Sequence, residues 1–135
     1  MLKNQKTYTV TNDLIHKEEC YNIIGICMEI HTILGPGLSE IVYKDAMEYE
    51  FQQNNIPYQR EKEYEVAYKE VILTHKFYAD FVVYDDIILE VKAIKEIHDD
   101  HITQTLNYVA IAKSPLALII NFGSKSLQQK RVILT

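Results

Sequence analysis

The sequence predicts one α/β domain in which helices cover a mixed β-sheet. The length of 135 residues fits a single compact domain, and 47% hydrophobic with 24% charged residues is typical of a globular chain. Apolar residues recur at helical spacing in the first third of the chain, and alternating or β-branched residues dominate after Pro57. The expected order is helix, helix, three strands, helix, two strands (α-α-β-β-β-α-β-β).

The first helix is expected over residues 12–34. Asn12 and Asp13 are favourable N-caps, and the core-facing stripe includes Ile23 and Cys27. Gly35-Pro36-Gly37 ends this helix, because proline cannot continue the hydrogen-bond ladder.

The second helix is expected over residues 39–54. Ser39 is a favourable N-cap for it. We expect Val42, Ala46 and Tyr49 on its buried side.

Three strands are expected at residues 58–68, 71–84 and 87–93. The short turns at Tyr68-Lys69-Glu70 and Tyr84-Asp85-Asp86 require neighbouring strands to run antiparallel. These strands should therefore form a meander.

The last third of the chain returns to helical spacing and then to strands. We expect a helix at 98–112, ended by Ser114-Pro115. Residues 116–122 are a continuous apolar run, as in a strand that is covered on both faces and paired in parallel after a helical crossover. A last strand is expected at 128–134.

The N-terminal residues 1–12 are polar and are expected to be a tail, although residues 7–11 could add an edge strand, so that residues 13–135 form the domain. No apolar run approaches the roughly 20 residues that a membrane helix needs, and the start lacks a secretory signal. Cys20 and Cys27 lie one helical heptad apart, too far for a disulfide, and should be reduced core thiols. We therefore expect a cytoplasmic protein without membrane contact.

The net charge of −5 argues against a general polyanion binder coated in lysine and arginine. Any contact with nucleic acid would then be local or assisted by a metal ion. The chain also lacks the paired Cys and His ligands of a structural zinc site.

Two ionisable residues interrupt the apolar strand at 87–93. Glu90 and Lys92 point to one face of the strand while Val91 points to the other, and the hairpin can bring Asp80 opposite Glu90. Buried charges need a partner or a metal ion. Two carboxylates and the Val91 carbonyl would suit Mg²⁺ or Mn²⁺, with Lys92 beside the reacting phosphate. The alternative is a cross-strand salt bridge on a half-exposed sheet face.

At these residues the chain resembles the PD-(D/E)XK nuclease superfamily, whose signature is matched by Asp80 and by Glu90-Val91-Lys92. The stretch 37–43 matches G-x-x-E-x-x-Y, and residues 23–133 resemble the small GxxExxY proteins of that superfamily. The resemblance implies a restriction-endonuclease-like α/β/α sandwich with a central mixed sheet. It also implies a Mg²⁺- or Mn²⁺-dependent nuclease that acts on nucleic acid, DNA rather than RNA.

The resemblance adds helical residues to the site. Glu40 is implied as a metal ligand together with Asp80, Glu90 and Val91, although its plain interpretation is a first-turn acid that the helix dipole stabilises. Gln104 and Tyr108 match the Q-x-x-x-Y motif of the RecB-like branch, which implies that they lie beside the active site.

Three further residues are candidates for substrate contact or for supporting the site. His31 lies at the border of the apolar stripe, so a hydrogen-bonded core histidine is an equal alternative. His101 could face the site, while Asp99 and Asp100 before it are expected to be first-turn charges of the helix. Tyr43 could pack beneath Glu40 or donate a hydrogen bond to it.

The function expected from the sequence is therefore metal-dependent hydrolysis of phosphodiesters, with catalytic roles for Glu40, Asp80, Glu90, Lys92 and Gln104. The acidic chain should bind naked nucleic acid weakly, which leaves room for a homodimer or a protein partner. The alternative is a catalytically silent module that retains the fold and binds nucleic acid or protein. Purely structural ion pairing is the second alternative.

Overall fold

The structure, a computed structural model, describes residues 16–134. The elements in this range follow in the order α1 (Lys17–Leu34), α2 (Glu40–Gln53), β1 (Tyr58–Tyr64), β2 (Ala67–Tyr68), β3 (Val71–Ile72), β4 (Phe77–Val83), β5 (Ile87–Lys92), α3 (Asp99–Ala112), β6 (Leu116–Asn121) and β7 (Gln128–Val132). The predicted α/β class and the order of the main elements are confirmed. The tail at 1–12 and the predicted start of α1 lie outside the described residues.

The main sheet has five strands in the order β1-β4-β5-β6-β7. β1, β4 and β5 form the expected antiparallel meander, and β5 pairs in parallel with β6 after the crossover through α3. β7 closes the sheet as an antiparallel neighbour of β6. The mixed sheet is thus the predicted one.

Helices cover both faces of this sheet. α1 and α2 pack against the face that includes Leu89 and Val91. α3 packs against the other face, which includes Ile88. All six residues of β6 are buried, because both layers cover it. The alternation along β5 therefore directs Glu90 and Lys92 to the α3 face.

The structure differs from the expected strands between residues 65 and 76. β2 and β3 form a separate two-stranded hairpin around Lys69, which has a positive φ of 54°. The apolar residues Tyr68, Val71 and Ile72 of this hairpin are exposed. An alternating apolar pattern predicted continued strands here, but nothing in residues 16–134 covers them as a second layer.

The predicted buried face of α2 was right for Ala46, which packs against the core, and wrong for Val42 and Tyr49. Val42 and Tyr49 are exposed, whereas the fully buried residues are Tyr43, Met47 and Phe51. Those three large side chains recur every four residues and bury more apolar area on one stripe than the expected set would. This shift by one residue also turns the next residue, Lys44, inward.

Cys20 and Cys27 are free and buried, as predicted. Burial raises the pKa of the Cys27 thiol, so the thiol stays protonated. Within residues 16–134, the helices are too short or too polar to cross a bilayer.

Candidate active site

Asp80 and Glu90 lie where the pairing of β4 with β5 ends. The paired residues are Phe81 with Leu89, Val82 with Ile88 and Val83 with Ile87, so Asp80 and Glu90 follow directly after the last pair. Instead of a backbone partner, the Val91 N–H donates a hydrogen bond to Asp80 Oδ2 at 2.7 Å. The hairpin therefore brings the two acids together, as the sequence predicted.

Glu90 is the more buried of the two acids. Glu90 is only 6% exposed. Its Oε1 atom is buried and has no hydrogen-bond partner among the described residues. Burial and then the neighbouring charge of Asp80 raise the pKa of Glu90 to about 9, against the opposing effect of the Lys92 and Lys44 charges. Two carboxyl groups at this spacing require a shared proton or a cation between them.

The oxygens present fit a hard divalent cation. Asp80 and Glu90 offer carboxylate oxygens, and Glu90 Oε1 lacks any other partner. In a strand, the carbonyl and the N–H of one residue point to the same edge, and the Val91 N–H points to Asp80. The Val91 carbonyl thus lies on the edge that faces the acids. Mg²⁺ and Mn²⁺ prefer such oxygen ligands.

Lys92 completes the signature on the same face of β5 as Glu90. It is half-buried, and its positive charge acts to lower the pKa of the Glu90 carboxyl, against the larger effect of burial. An ammonium in this position can orient a water molecule or neutralise a phosphate oxygen.

Lys44 is a site residue that the sequence did not reveal. This lysine of α2 has a side chain only 8% exposed, and its Nζ donates a hydrogen bond to Asp80 Oδ1 at 2.9 Å. It also forms an ion pair with Glu61 of β1. Its position next to the buried Tyr43 could have indicated that Lys44 is buried, but the predicted buried residues of α2 did not include Tyr43.

Glu40 is not brought to the two acids. It is the first residue of α2 and is exposed, and across residues 16–134 no group of three His, Cys, Asp or Glu side chains converges. Lys44, one turn later on the same helix, contacts Asp80 instead. The structure therefore assembles a pair of acids where the sequence predicted three.

Tyr108 of α3 faces the acids, whereas Gln104 lies on the surface. Burial and then the charges of Glu90 and Asp80 raise the pKa of the Tyr108 phenol, and its ring stacks on Phe77 with 4.2 Å between ring centroids. Gln104 is exposed one turn earlier on the same helix face. The Gln104 amide is therefore open to solvent.

Tyr43 binds the loop before α2 rather than Glu40. Its hydroxyl donates to the Gly35 carbonyl at 2.6 Å and accepts from the Leu38 N–H at 3.2 Å. The hydroxyl has one proton, so it has none left for Glu40. The ring is fully buried and stacks on Phe122. Tyr43 thus fixes the turn between α1 and α2.

Both candidate histidines have backbone partners. The His31 Nε2 is 2.9 Å from the Ser124 carbonyl oxygen. His101 Nδ1 accepts from the His98 N–H at 2.9 Å and closes the N-terminus of α3. Asp99 and Asp100 are first-turn acids of that helix, as predicted. These contacts are structural, and within residues 16–134 neither histidine is bonded to Asp80 or Glu90.

Comparisons with known proteins agree with this fold and signature. The sequence profile of the PD-(D/E)XK nuclease superfamily matches residues 17–132. The crystal structure of SSO0001 superposes with a TM-score of 0.56 at 16% identity, and the match covers 87% of this chain and 60% of that one. This chain therefore spans 60% of the length of that neighbour, and the likeness concerns the fold alone. No curated protein sequence matches. From the profile match over most of its length, the chain belongs to the PD-(D/E)XK nuclease superfamily.

Proposed function

We propose that this chain hydrolyses phosphodiester bonds in nucleic acid, in DNA rather than RNA, with Mg²⁺ or Mn²⁺ as cofactor. Nucleases of this superfamily generally use divalent metal ions and act on nucleic acid. The observation that carries the proposal is the buried Glu90 Oε1 atom beside Asp80 and Lys92, which has no hydrogen-bond partner within residues 16–134. A structural salt bridge would satisfy this oxygen, whereas a cation site requires it to be open.

In this proposal Asp80, Glu90 and the Val91 carbonyl would hold the ion, whose positive charge would favour the ionised form of Glu90. When bound, the ion supplies positive charge for the phosphate oxygens and a water molecule of lowered pKa. Lys92 orients the attacking water or stabilises charge on the phosphate. Tyr108 covers Asp80 and Glu90 from the side of α3. Gln104, at the surface, contacts the phosphate backbone of the nucleic acid.

Glu40 remains a proposed metal ligand, although it is not next to Asp80 and Glu90. It lies exposed at the start of α2, and Lys44, one turn later on the same helix, makes the contact to Asp80. His31, His101 and Tyr43 are proposed to support the site through the loops and helix ends that they hold. The narrower GxxExxY assignment also stays a prediction.

The charge of the chain bears on how substrate would approach. At a net charge of −5, affinity for naked nucleic acid should be weak and should depend on the bound cation. A homodimer or a protein partner would supply further contacts. The two free cysteines suit a reducing compartment, so we propose a cytoplasmic location.

A cleavage assay tests the proposal directly. Single-stranded, duplex and branched DNA, and RNA, are incubated with Mg²⁺, Mn²⁺ or EDTA, comparing the wild type with Lys92→Ala. Lys95→Ala, at an exposed lysine just after β5, is the matched control. We expect metal-dependent cutting that Lys92→Ala abolishes and Lys95→Ala keeps. Cutting that survives Lys92→Ala would place the activity elsewhere, and no cutting on any substrate would favour the silent binding module.

A further inference from the structure

Lys44 is a buried cation that the proposed reaction does not yet use. It bridges Asp80 of β4 and Glu61 of β1, which lie on neighbouring antiparallel strands. A cation that joins carboxylates from two strands has the position that a bridging metal ion would take. Resting on the proposed function, we propose that the Lys44 ammonium replaces a second divalent cation, so that this site takes a single Mg²⁺ or Mn²⁺.

The hydrogen bonds of Asp80 set how many ions it can hold. Its Oδ1 accepts from Lys44 Nζ at 2.9 Å, and its Oδ2 accepts from the Val91 N–H at 2.7 Å. The two carboxylate oxygens have four lone pairs in all, and in the metal-free protein the side-chain hydrogen bond with Glu90 takes a third, so one remains. The ammonium thus uses one of the positions through which two ions would otherwise share this carboxylate.

The two sides of Asp80 are occupied by different groups. Lys44 comes from α2, which packs with α1 on one face of the sheet. Glu90 belongs to the α3 face, where Tyr108 interacts with both acids. The open Glu90 Oε1 atom is therefore the partner for an ion on the α3 side. The α2 side already has its positive charge.

The same arrangement explains the position of Glu40. A second ion on the α2 side would lie between Asp80 and Glu61, and Glu40, the acid one turn before Lys44, is the α2 residue that would add to them. Glu40 is exposed instead, while Lys44 fills the space next to Asp80. Displacing this lysine would leave the mostly buried carboxylate of Asp80 without its cation, which is unfavourable, whereas the half-exposed Glu61 would lose less.

The test is the number of Mn²⁺ ions that the metal-free protein binds, measured by calorimetry and by electron paramagnetic resonance with Mn²⁺ alone. We expect one ion per chain in the wild type and in Lys44→Arg, which keeps the charge. Lys44→Ala removes the charge and opens room for a hydrated ion, so it should bind two. Lys62→Ala, on the same strand as Glu61, is the matched control and should bind one.

The outcomes separate this inference from the proposed function. Two ions in the wild type, or one in a folded Lys44→Ala, would overturn the inference and leave the nuclease proposal standing. A wild type that binds no Mn²⁺ would overturn both. Circular dichroism checks the fold of each variant, and if Lys44→Ala is unfolded, Lys44→Gln takes its place with the same expected second ion.

Discussion

The Val91 N–H donates to Asp80 Oδ2 at 2.7 Å, immediately beyond the last backbone pair of β4 and β5. This bond ties the first acid of the signature to the residue between Glu90 and Lys92. Side chain and backbone thus replace the missing ladder bond, and the acid is held in one orientation. The site therefore forms at the point where the backbone pairing of β4 with β5 ends.

Substitutions at Asp80 should separate its structural role from its metal-binding role. Asp80→Ala leaves Lys44 and the Val91 N–H without this acceptor, so we expect a loss of about 2 kcal/mol or more in the free energy of unfolding. Asp80→Asn keeps an acceptor for Val91 and should lose only about 1 kcal/mol. Both should lose Mn²⁺ binding. Urea unfolding and Mn²⁺ titration measure the two effects. The control is Asp45→Asn, at an exposed aspartate of α2. Mn²⁺ binding by both Asp80 variants would show that Asp80 is no ligand.

The stability of the metal-free protein should fall as the pH rises, because of Glu90. Its pKa is about 9 in the fold against an ordinary value of 4.5, with Asp80, Lys92 and Lys44 as its charged neighbours. Between these values the folded protein keeps a proton that the unfolded chain releases, so stability is lost as the pH increases through this window.

Glu90→Gln cannot ionise and should remove that pH dependence. It should match the wild type near pH 4.5 and exceed it near pH 9. The gain at the upper end should be several kcal/mol, with about 6 kcal/mol as the upper bound set by the full shift in pKa. Urea unfolding in EDTA across the pH range measures this, with the exposed Glu96→Gln as control. A difference between Glu90→Gln and the wild type that stays constant with pH would contradict the assignment.

The closeness of Asp80 and Glu90 could be predicted because a local turn determines it. The turn at 84–86 fixes which residues of β4 and β5 face each other, and the strand period then determines the faces. The parallel pairing of β6 with β5 could also be predicted, because a continuous apolar run after a helix is typical of a parallel strand covered on both faces.

Lys44 could not be predicted, because its position depends on tertiary packing. The spacing of apolar residues in α2 allowed more than one buried face, and only contact with the sheet selects the stripe through Tyr43, Met47 and Phe51. The backbone conformation of Glu61 could not be predicted either. Its φ of 55° is positive within β1, and such a value is usually predicted only where the sequence has a glycine. Both residues belong to the ion-pair cluster around Asp80.

The Tyr43 hydroxyl should matter for stability. Tyr43→Phe leaves the ring stack on Phe122 in place but removes the bonds to Gly35 and Leu38. We expect a loss of about 1 to 2 kcal/mol in the free energy of unfolding. Tyr49→Phe, at a tyrosine that is 58% exposed, should change it by less than about 0.5 kcal/mol. Thermal and urea unfolding compare the two, and equal effects would refute the role of Tyr43 in holding the turn.

Gly123 should be required for the position of Lys92. A Cβ at residue 123 would lie 2.3 Å from the backbone N and O atoms of Ile94, two residues after Lys92. The Asn121 side chain already joins these segments, since its Oδ1 accepts from the N–H groups of Ile94 and Gly123. Gly123→Ala must therefore push the chain after β5 away, at a cost of about 2 kcal/mol or more.

The matched control for this substitution is Gly25→Ala, where a Cβ within α1 meets nothing within 4 Å. That change should stabilise the protein by about 0.5 to 1 kcal/mol, because alanine favours a helix. Urea unfolding measures both variants, and the cleavage assay follows Lys92. We expect Gly123→Ala to lose cleavage more than its lower stability explains at temperatures where it stays folded. Since Asn121 and Gly123 hold the segment directly behind Lys92, a folded Gly123→Ala with wild-type cleavage would show that this ammonium is positioned by β5 alone.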